Sequence, residues 1–336
     1  MLRDTVTPQS TMAAEPRGLD ERAWAGFREL GLEGDETALL DVHEQVEILQ
    51  CIGYAGALVP YADGECLARW FAHHAGFATG GKALAIAVMA PGTVEPDEQG
   101  RPGSIALHGR SIPWGRCASE VVFSFSLDSR HYAARVPVEG LAMGRGSNLA
   151  GEPNDPCTQS RLALPGLDVC EVGPLLAPLA VRRRGALART AAMVGALARV
   201  NELTRQYADD RKQFGKPLSR FPMIQSYISA MAAEQCAAEA MLDTAVEAAN
   251  ADPAASTPEI AAAKVRVAQA AHVVAGHAHQ VHGAMGITQE YPLHLWTRRL
   301  WAWREEHGNE THWAAVLGEH MVALGAEGFW ERVTRA

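Results

Sequence analysis

Apolar positions along the chain change texture twice. Residues 1–18 are polar and contain Pro and Gly, which predicts a loose leader. Asp20 then offers a helix cap ahead of Trp24, Phe27 and Leu30 at helical spacing, with Gly31 as a natural stop. Leu39, Val42, Val46 and Leu49 repeat that spacing, and residues 67–74 predict a third short helix. From about residue 82 the period shortens. Residues 85–89, 104–108, 120–125 and 132–136 are alternating or β-branched runs, separated by turn-formers at 96–103 and by a Gly/Asn/Pro-rich stretch at 144–156. From Pro174 onward the pattern is helical again: Met193, Leu197, Val200 and Tyr207 mark one long helix, and Ile224, Ile228, Met231, Ala238 and Leu242 a second. An Ala-dominated helix follows at 261–281, then others near 293–304 and 311–324. These textures divide the chain into the leader (1–18), an N-terminal helical domain (19–80), a middle β domain (81–172) and a C-terminal helical bundle (173–336).

Composition narrows the function. The 336 residues are 48% hydrophobic and 21% charged, a globular balance with enough length for several packed subdomains. A net charge of -9 repels phosphate polymers and anionic lipid, so neither nucleic acid nor a membrane is an expected partner. No uninterrupted apolar run is long enough for a span or a signal peptide, and six scattered cysteines carry no metal-site or disulfide spacing; both features predict a cytoplasmic protein with reduced thiols. His272, His277, His279 and His282 cluster in sequence but lack the i, i+4 spacing and the interleaved carboxylate of a helical zinc site.

Two segments carry candidate chemistry. At Tyr207-Ala-Asp-Asp-Arg-Lys-Gln-Phe-Gly-Lys-Pro-Leu218 a helix runs into a turn fixed by Gly215 and Pro217. Arg211 can fork onto a diphosphate and Phe214 can cover an aromatic ring, although the same residues also read as a charged helix terminus. At His279-Gln-Val-His-Gly-Ala-Met-Gly286, Gly283 and Gly286 end a helix and leave bare backbone for a ligand, while Gln280 can donate and accept hydrogen bonds.

In this order and spacing the two segments resemble the acyl-CoA dehydrogenase family, most firmly over residues 180–312. The resemblance implies a fold that is α+β and mainly α: a short N-terminal helical domain, a middle β-barrel domain and a C-terminal four-helix bundle, assembled as dimers or tetramers around FAD. It further implies that Arg211 holds the pyrophosphate of a neighbouring subunit's FAD, Gln213 and Phe214 the adjoining nucleotide region, and Gln280 with Gly283 the ADP portion. In that family a carboxylate takes the α-proton of an acyl thioester while the β-hydrogen leaves as hydride to the flavin.

The chain departs from the family where its own flavin and base would sit. Counting from Gln280, the family's Glu-Gly pair falls on His307-Gly308, and the flavin-touching Thr falls on Asn309. The alternative base position, around residues 182–187, holds Arg182, Arg183 and Arg184 and no carboxylate. These arginines either steer anionic CoA or form a solvated basic face. The family's Glu-Pro-Gly-Ala-Gly-Ser type segment is missing from the middle domain, and Ser111-Ile-Pro-Trp-Gly115 is either the flavin-facing strand or a strand end with a packed Trp114.

The cradle for a neighbour's flavin is kept and the groups for the chain's own are lost. This split predicts the non-catalytic, FAD-cradling subunit of a heteromeric FAD-dependent acyl-CoA dehydrogenase. It would form the α,β double bond of a bulky, steroid-type acyl-CoA, a branch that residues 298–308 resemble. The implied partners are a second acyl-CoA dehydrogenase-like subunit carrying the catalytic Glu, the acyl-CoA substrate and an electron-accepting flavoprotein. Two other readings stand beside it. One is a self-sufficient homo-oligomer with His307, Glu306 or Glu305 as base; in the bland reading the two glutamates are a solvated acidic pair. The other is a flavin-free structural or regulatory protein on the same fold.

Overall fold

A computed structural model describes residues 2–35 and 40–334. The chain opens with α1 (Leu2–Thr5) and α2 (Pro8–Ala14), then α3 (Glu21–Glu29) and α4 (Val42–Ala55). Leu39, expected on the α4 pattern, lies outside the described residues. The first eighteen residues are not the loose leader that their polarity predicts. Thr7 and Ser10 form a reciprocal capping box, Ala14 is fully buried, and the Thr11 hydroxyl donates to the Gly56 carbonyl. Leu30 also departs from expectation: it caps α3 and stands in solvent.

After α4, which ends on Gly56 in the left-handed region, a single helical segment runs from Tyr61 to His74. It is wound as a π-helix over Tyr61–Arg69 and as an α-helix over α5 (Trp70–His74). The wide winding places Asp63, Glu65 and Arg69 inside the protein, where Arg69 is paired to Glu65 at 2.6 Å.

Nine strands follow: β1 (Leu84–Val88), β2 (Val94–Pro96), β3 (Pro102–Ala106), β4 (Ser111–Pro113), β5 (Glu120–Leu127), β6 (Arg130–Pro137), β7 (Asn154–Pro156), β8 (Arg161–Ala163) and β9 (Asp168–Val172). They form a sheet of order β1-β5-β6-β9, a second of order β2-β3-β8, and the pair β4-β7. Strand β5 reads as an unbroken apolar run because both its faces are covered. Val121, Phe123 and Phe125 enter the core of the strand region, whereas Val122 joins the helical core and the Ser124 hydroxyl donates to the Leu176 carbonyl.

The C-terminal part is long-helical as its periodicity predicts. It comprises α6 (Pro178–Asp210), the two-strand hairpin β10 (Lys212–Gln213) and β11 (Lys216–Pro217), α7 (Pro222–Ala251), α8 (Thr257–His282), α9 (Leu293–Glu305) and α10 (Glu310–Thr334), which is broken at Gly325. The fold is thus mainly helical with one sheet region, the class that the sequence predicts. Helix α6 runs through its centre, buried on most sides from Gly185 to Leu197, and packs against α4, α7, α8 and α9.

Small residues set the closest of these crossings. A Cβ on Gly53 would lie 1.9 Å from the Ala192 carbonyl oxygen, and one on Gly195 would lie 2.0 Å from that of Gln50. Helices α4 and α6 therefore touch backbone to backbone at both glycines. Gly195→Ala is expected to lower stability by about 2–3 kcal/mol or more, because the obstructing atoms are backbone. A urea unfolding midpoint equal to that of wild type would contradict this crossing.

Candidate functional site

Two sites lie toward opposite ends of α6. The first surrounds Arg189, one of the few charged residues within the apolar stretch of that helix. Its guanidinium reaches the Asp63 carboxylate at 2.5 Å on the π-helix, that of Glu306 at 2.6 Å in the α9–α10 turn, and that of Glu152 at 3.7 Å in the loop before β7. Asn148 joins the two glutamates, donating to Glu152 at 2.9 Å and to Glu306 at 2.7 Å. The Trp303 indole N–H donates to Glu152 at 3.0 Å, and Arg189 lies 5.6 Å from that ring's centroid.

His307 completes the cluster in a way the sequence did not predict. Its Nε2 sits 3.2 Å from Asp63, its carbonyl accepts from the Trp313 indole at 3.0 Å, and its φ of +54 turns the chain toward Gly308. The imidazole lies directly on α6, where a Cβ on Gly185 would fall 2.4 Å from Nδ1. Asn309, at the expected flavin-touching position, accepts from the His312 backbone N–H and caps α10.

Burial decides the charge states. It pushes the Glu306 carboxyl up to about 7 against the pull of Arg189, with Glu152 and Asp63 adding to the rise. Burial would also raise Asp63, but Arg189 and the His307 hydrogen bond outweigh it and hold that carboxyl down at about 2. Burial lowers His307, against the opposing pull of Asp63. Beneath the turn, Lys264 is fully buried, donates to the Trp303 carbonyl at 2.6 Å and is pushed down by burial to about 7.

These groups line one side of a cavity of about 360 Å³. Its other side includes Met89, after β1, and Trp114, after β4. Trp114 is the packed strand-end ring of the two readings, 2% exposed at the edge of the cavity. Two expectations need correction. Glu305 is exposed, but Glu306 is an ion-paired group inside the protein and not half of a solvated acidic pair. Nor do the three arginines at 182–184 form a basic face. Arg184 donates to the Cys66 carbonyl at 2.8 Å and to Gln45 at 2.7 Å and lies over Trp70; Arg183 donates to Thr257 at 2.6 Å; Arg182 alone lines the cavity.

The second site lies 22 residues along the same helix, about 33 Å away at the rise of an α-helix. Arg211 ends α6, and its carbonyl accepts from Leu218, which closes the β10–β11 hairpin. Phe214 and Gly215 form the two-residue turn with φ of +49 and +79. A left-handed Phe is uncommon, and this one is 90% exposed. Gln280 and Gly283 lie at the end of α8, where Gly283 has a φ of +58. Stacking of Tyr207 on His282 at 4.3 Å and a Tyr207 hydroxyl bond to the His282 carbonyl bring these two segments to one end of the bundle. Arg211, Gln213, Phe214, Gln280 and Gly283 are all exposed there. The four sequence-adjacent histidines are dispersed: His272 against Trp301, His277 on Tyr227, His279 on Thr297, and His282 on Tyr207. Among the described residues no group of three or more His, Cys, Asp or Glu is placed to hold a metal ion, and no helix is long and apolar enough to cross a membrane.

Asp63, Asn148, Glu152, Arg189 and Lys264 were not legible as a site, being scattered over 200 residues. The available signal was one arginine, Arg189, inside the apolar stretch 185–197 of α6 and one lysine, Lys264, in the Ala-rich α8. Arg189→Met should cost about 3–5 kcal/mol of stability by leaving buried carboxylates unpaired; a loss below about 1 kcal/mol in urea unfolding would contradict the cluster. Glu306 also fixes a pH dependence. Its carboxyl sits near 7 folded against an ordinary 4.5, so the folded chain holds the extra proton and Glu306's contribution to stability is lost as pH rises between those values. Glu306→Gln should remove that loss, seen as a gain in unfolding midpoint relative to wild type that grows from pH 4.5 to 7.

Comparison with known proteins gives these geometries a family. The family model "Acyl-CoA dehydrogenase, C-terminal domain" matches residues 182–321. The protein "Acyl-CoA dehydrogenase IpdE2" of Mycobacterium tuberculosis is 30% identical over 130 residues, 38% of this chain and 39% of that one. The matched part thus spans about two fifths of the length of that curated relative. Two solved structures share the fold over nearly the whole chain. The ChsE4-ChsE5 complex from Mycobacterium tuberculosis superposes with a TM-score of 0.80 at 21% identity, covering 97% of this chain and 95% of that one. The Tcur3481-Tcur3483 steroid ACAD variant superposes with a TM-score of 0.81 at 21% identity, covering 96% and 94%. Residues 182–321 accordingly form an acyl-CoA dehydrogenase C-terminal domain, and the chain as a whole shares the fold of these solved structures.

Proposed function

We propose that this chain is the non-catalytic subunit of a heteromeric, FAD-dependent acyl-CoA dehydrogenase acting on a bulky, steroid-type acyl-CoA. The observation that carries the reading is the contrast between the two ends of α6. At one end Arg211, Gln213, Phe214, Gln280 and Gly283 project into solvent, as groups that meet a ligand held by another chain would. Arg211 would fork onto the FAD pyrophosphate, Phe214 and Gln213 would cover the adjoining nucleotide region, and Gln280 with the bare backbone at Gly283 would take the ADP portion. The fixed turn of Phe214 supports this, because a strained exposed aromatic is already in place before its partner arrives.

At the other end the residues do not fit a flavin of the chain's own. The position the resemblance gives to the base holds His307, bonded to Asp63, and the neighbouring Glu306 is held in an ion pair with Arg189. When bound, FAD supplies the hydride acceptor of the family reaction; this chain's residues would hold and orient it while the partner subunit provides the carboxylate base. The ChsE4-ChsE5 complex and the steroid ACAD pair, each with two differently named components, support the heteromeric arrangement and the substrate class. An electron-accepting flavoprotein would reoxidise the complex, and the cytoplasm is the compartment proposed.

One observation favours a self-sufficient enzyme. A carboxyl near 7 such as that of Glu306 suits a general base, although Arg189 and Asn148 occupy it. In that case Glu306→Gln would abolish turnover by the chain purified alone.

Arg211→Gln tests the leading reading. The complex with the catalytic subunit should retain about tenfold less flavin after gel filtration, through loss of the charge-assisted fork. Flavin content equal to that of the wild-type complex would overturn it.

A further inference from the structure

The cavity beside the Arg189 cluster carries two cations that its carboxylates do not neutralise. Arg189 itself is matched by Asp63, Glu306 and Glu152. Arg110 and Arg182 line the same cavity, are half-buried, and have no carboxylate within ion-pair distance among the described residues. They come from different parts of the fold. Arg110 is fixed in the turn before β4, where its N–H donates to the Leu107 carbonyl at 3.0 Å and its own carbonyl accepts from Cys157 at 2.8 Å. Arg182 lies one turn into α6, near that helix's positive end. Half-buried guanidinium groups without an anion forgo the charge-assisted hydrogen bonds to which their planar forks are suited.

On the facing side Met89, after β1, and Trp114, after β4, border the cavity with all but their edges buried. A volume of about 360 Å³ is at the lower end of the range for small-molecule cavities. We propose that this cavity binds one small apolar carboxylic acid in its ionised form, with its ring or chain beside Trp114 and Met89 and its carboxylate toward Arg110 and Arg182. The cavity therefore remains a ligand site of its own, occupied without CoA and without flavin. It joins the strand region to the bundle, so an occupant ties Arg110 to Arg182 across that junction. The inference rests on the reading that the chain's own half-site holds no flavin.

Isothermal titration of the full chain with 3-phenylpropanoate tests it, with the uncharged 3-phenylpropanamide as control. Saturable binding of one acid per chain is expected, with the amide at least about tenfold weaker, and Arg110→Gln and Arg182→Gln each weakening the acid by about fivefold or more. Circular dichroism and unfolding midpoints of both variants establish that they are folded. No saturable binding by the wild-type chain, amide binding equal to acid binding, or folded variants that bind the acid as wild type does would each overturn the proposal. The visible absorbance of the same sample separates the two readings: flavin in the lone chain would remove the flavin-free half-site, whereas a flavin-free chain that ignores the acid removes only this inference.

Discussion

A single buried guanidinium organises this molecule. Arg189 sits in the buried stretch 185–197 of α6, otherwise Ala, Gly, Val, Leu, Met and one Thr, where an unpaired charge would be prohibitively costly. Its compensation comes from three places far apart in sequence: Asp63 on the π-helix, Glu152 in the loop before β7 and Glu306 in the α9–α10 turn. Satisfying one cation therefore fixes the N-terminal helices, the strand region and the C-terminal turn against one another. Trp303 and Asn148 use the remaining hydrogen-bonding capacity of the carboxylates, and Lys264 holds the end of α9 from below. The unusual winding of Tyr61–Arg69 belongs to the same arrangement, since it turns Asp63 inward.

Helix α6 separates two chemistries that share one family ancestry. Near its start, the His307 imidazole rests on Gly185 and is tied to Asp63. At its far end, a strained hairpin and the end of α8 present polar and aromatic groups to solvent. A distance of about 33 Å along a rigid helix keeps the two independent. On the proposed reading, a cradle for another subunit's cofactor and a cavity built around charge pairs place no mechanical constraint on each other.

What was legible in the sequence follows from how local its cause is. The long helices were readable because their apolar period persists over several turns, as from Met193 to Tyr207, and β5 and β6 because their runs reach five or six residues. Helices α1 and α2 were not, because seven residues or fewer form a helix here only through the burial of Ala14 and the Thr11 bond to Gly56. The short strands β7 and β8 likewise exist through pairing with distant partners. The exposed segment at 207–218 was readable because its chemistry lies in one stretch of chain. The Arg189 cluster was not, since six of its residues lie at positions 63, 148, 152, 189, 306 and 307, and no local pattern announces that they meet. Glu306 shows the cost of local reading most clearly: beside Glu305 it looks solvated, and only the fold reveals the guanidinium waiting for it.

The central claim is that this chain lends its cradle to another subunit and holds no flavin itself. The most direct measurement is the flavin-to-protein ratio, from visible absorbance, of the chain purified alone and of the chain co-purified with an acyl-CoA dehydrogenase-like subunit that carries the catalytic Glu. The account predicts no flavin in the lone chain and one FAD per pair of unlike chains in the complex. Stoichiometric flavin in the lone chain, bleached on addition of an acyl-CoA, would contradict it.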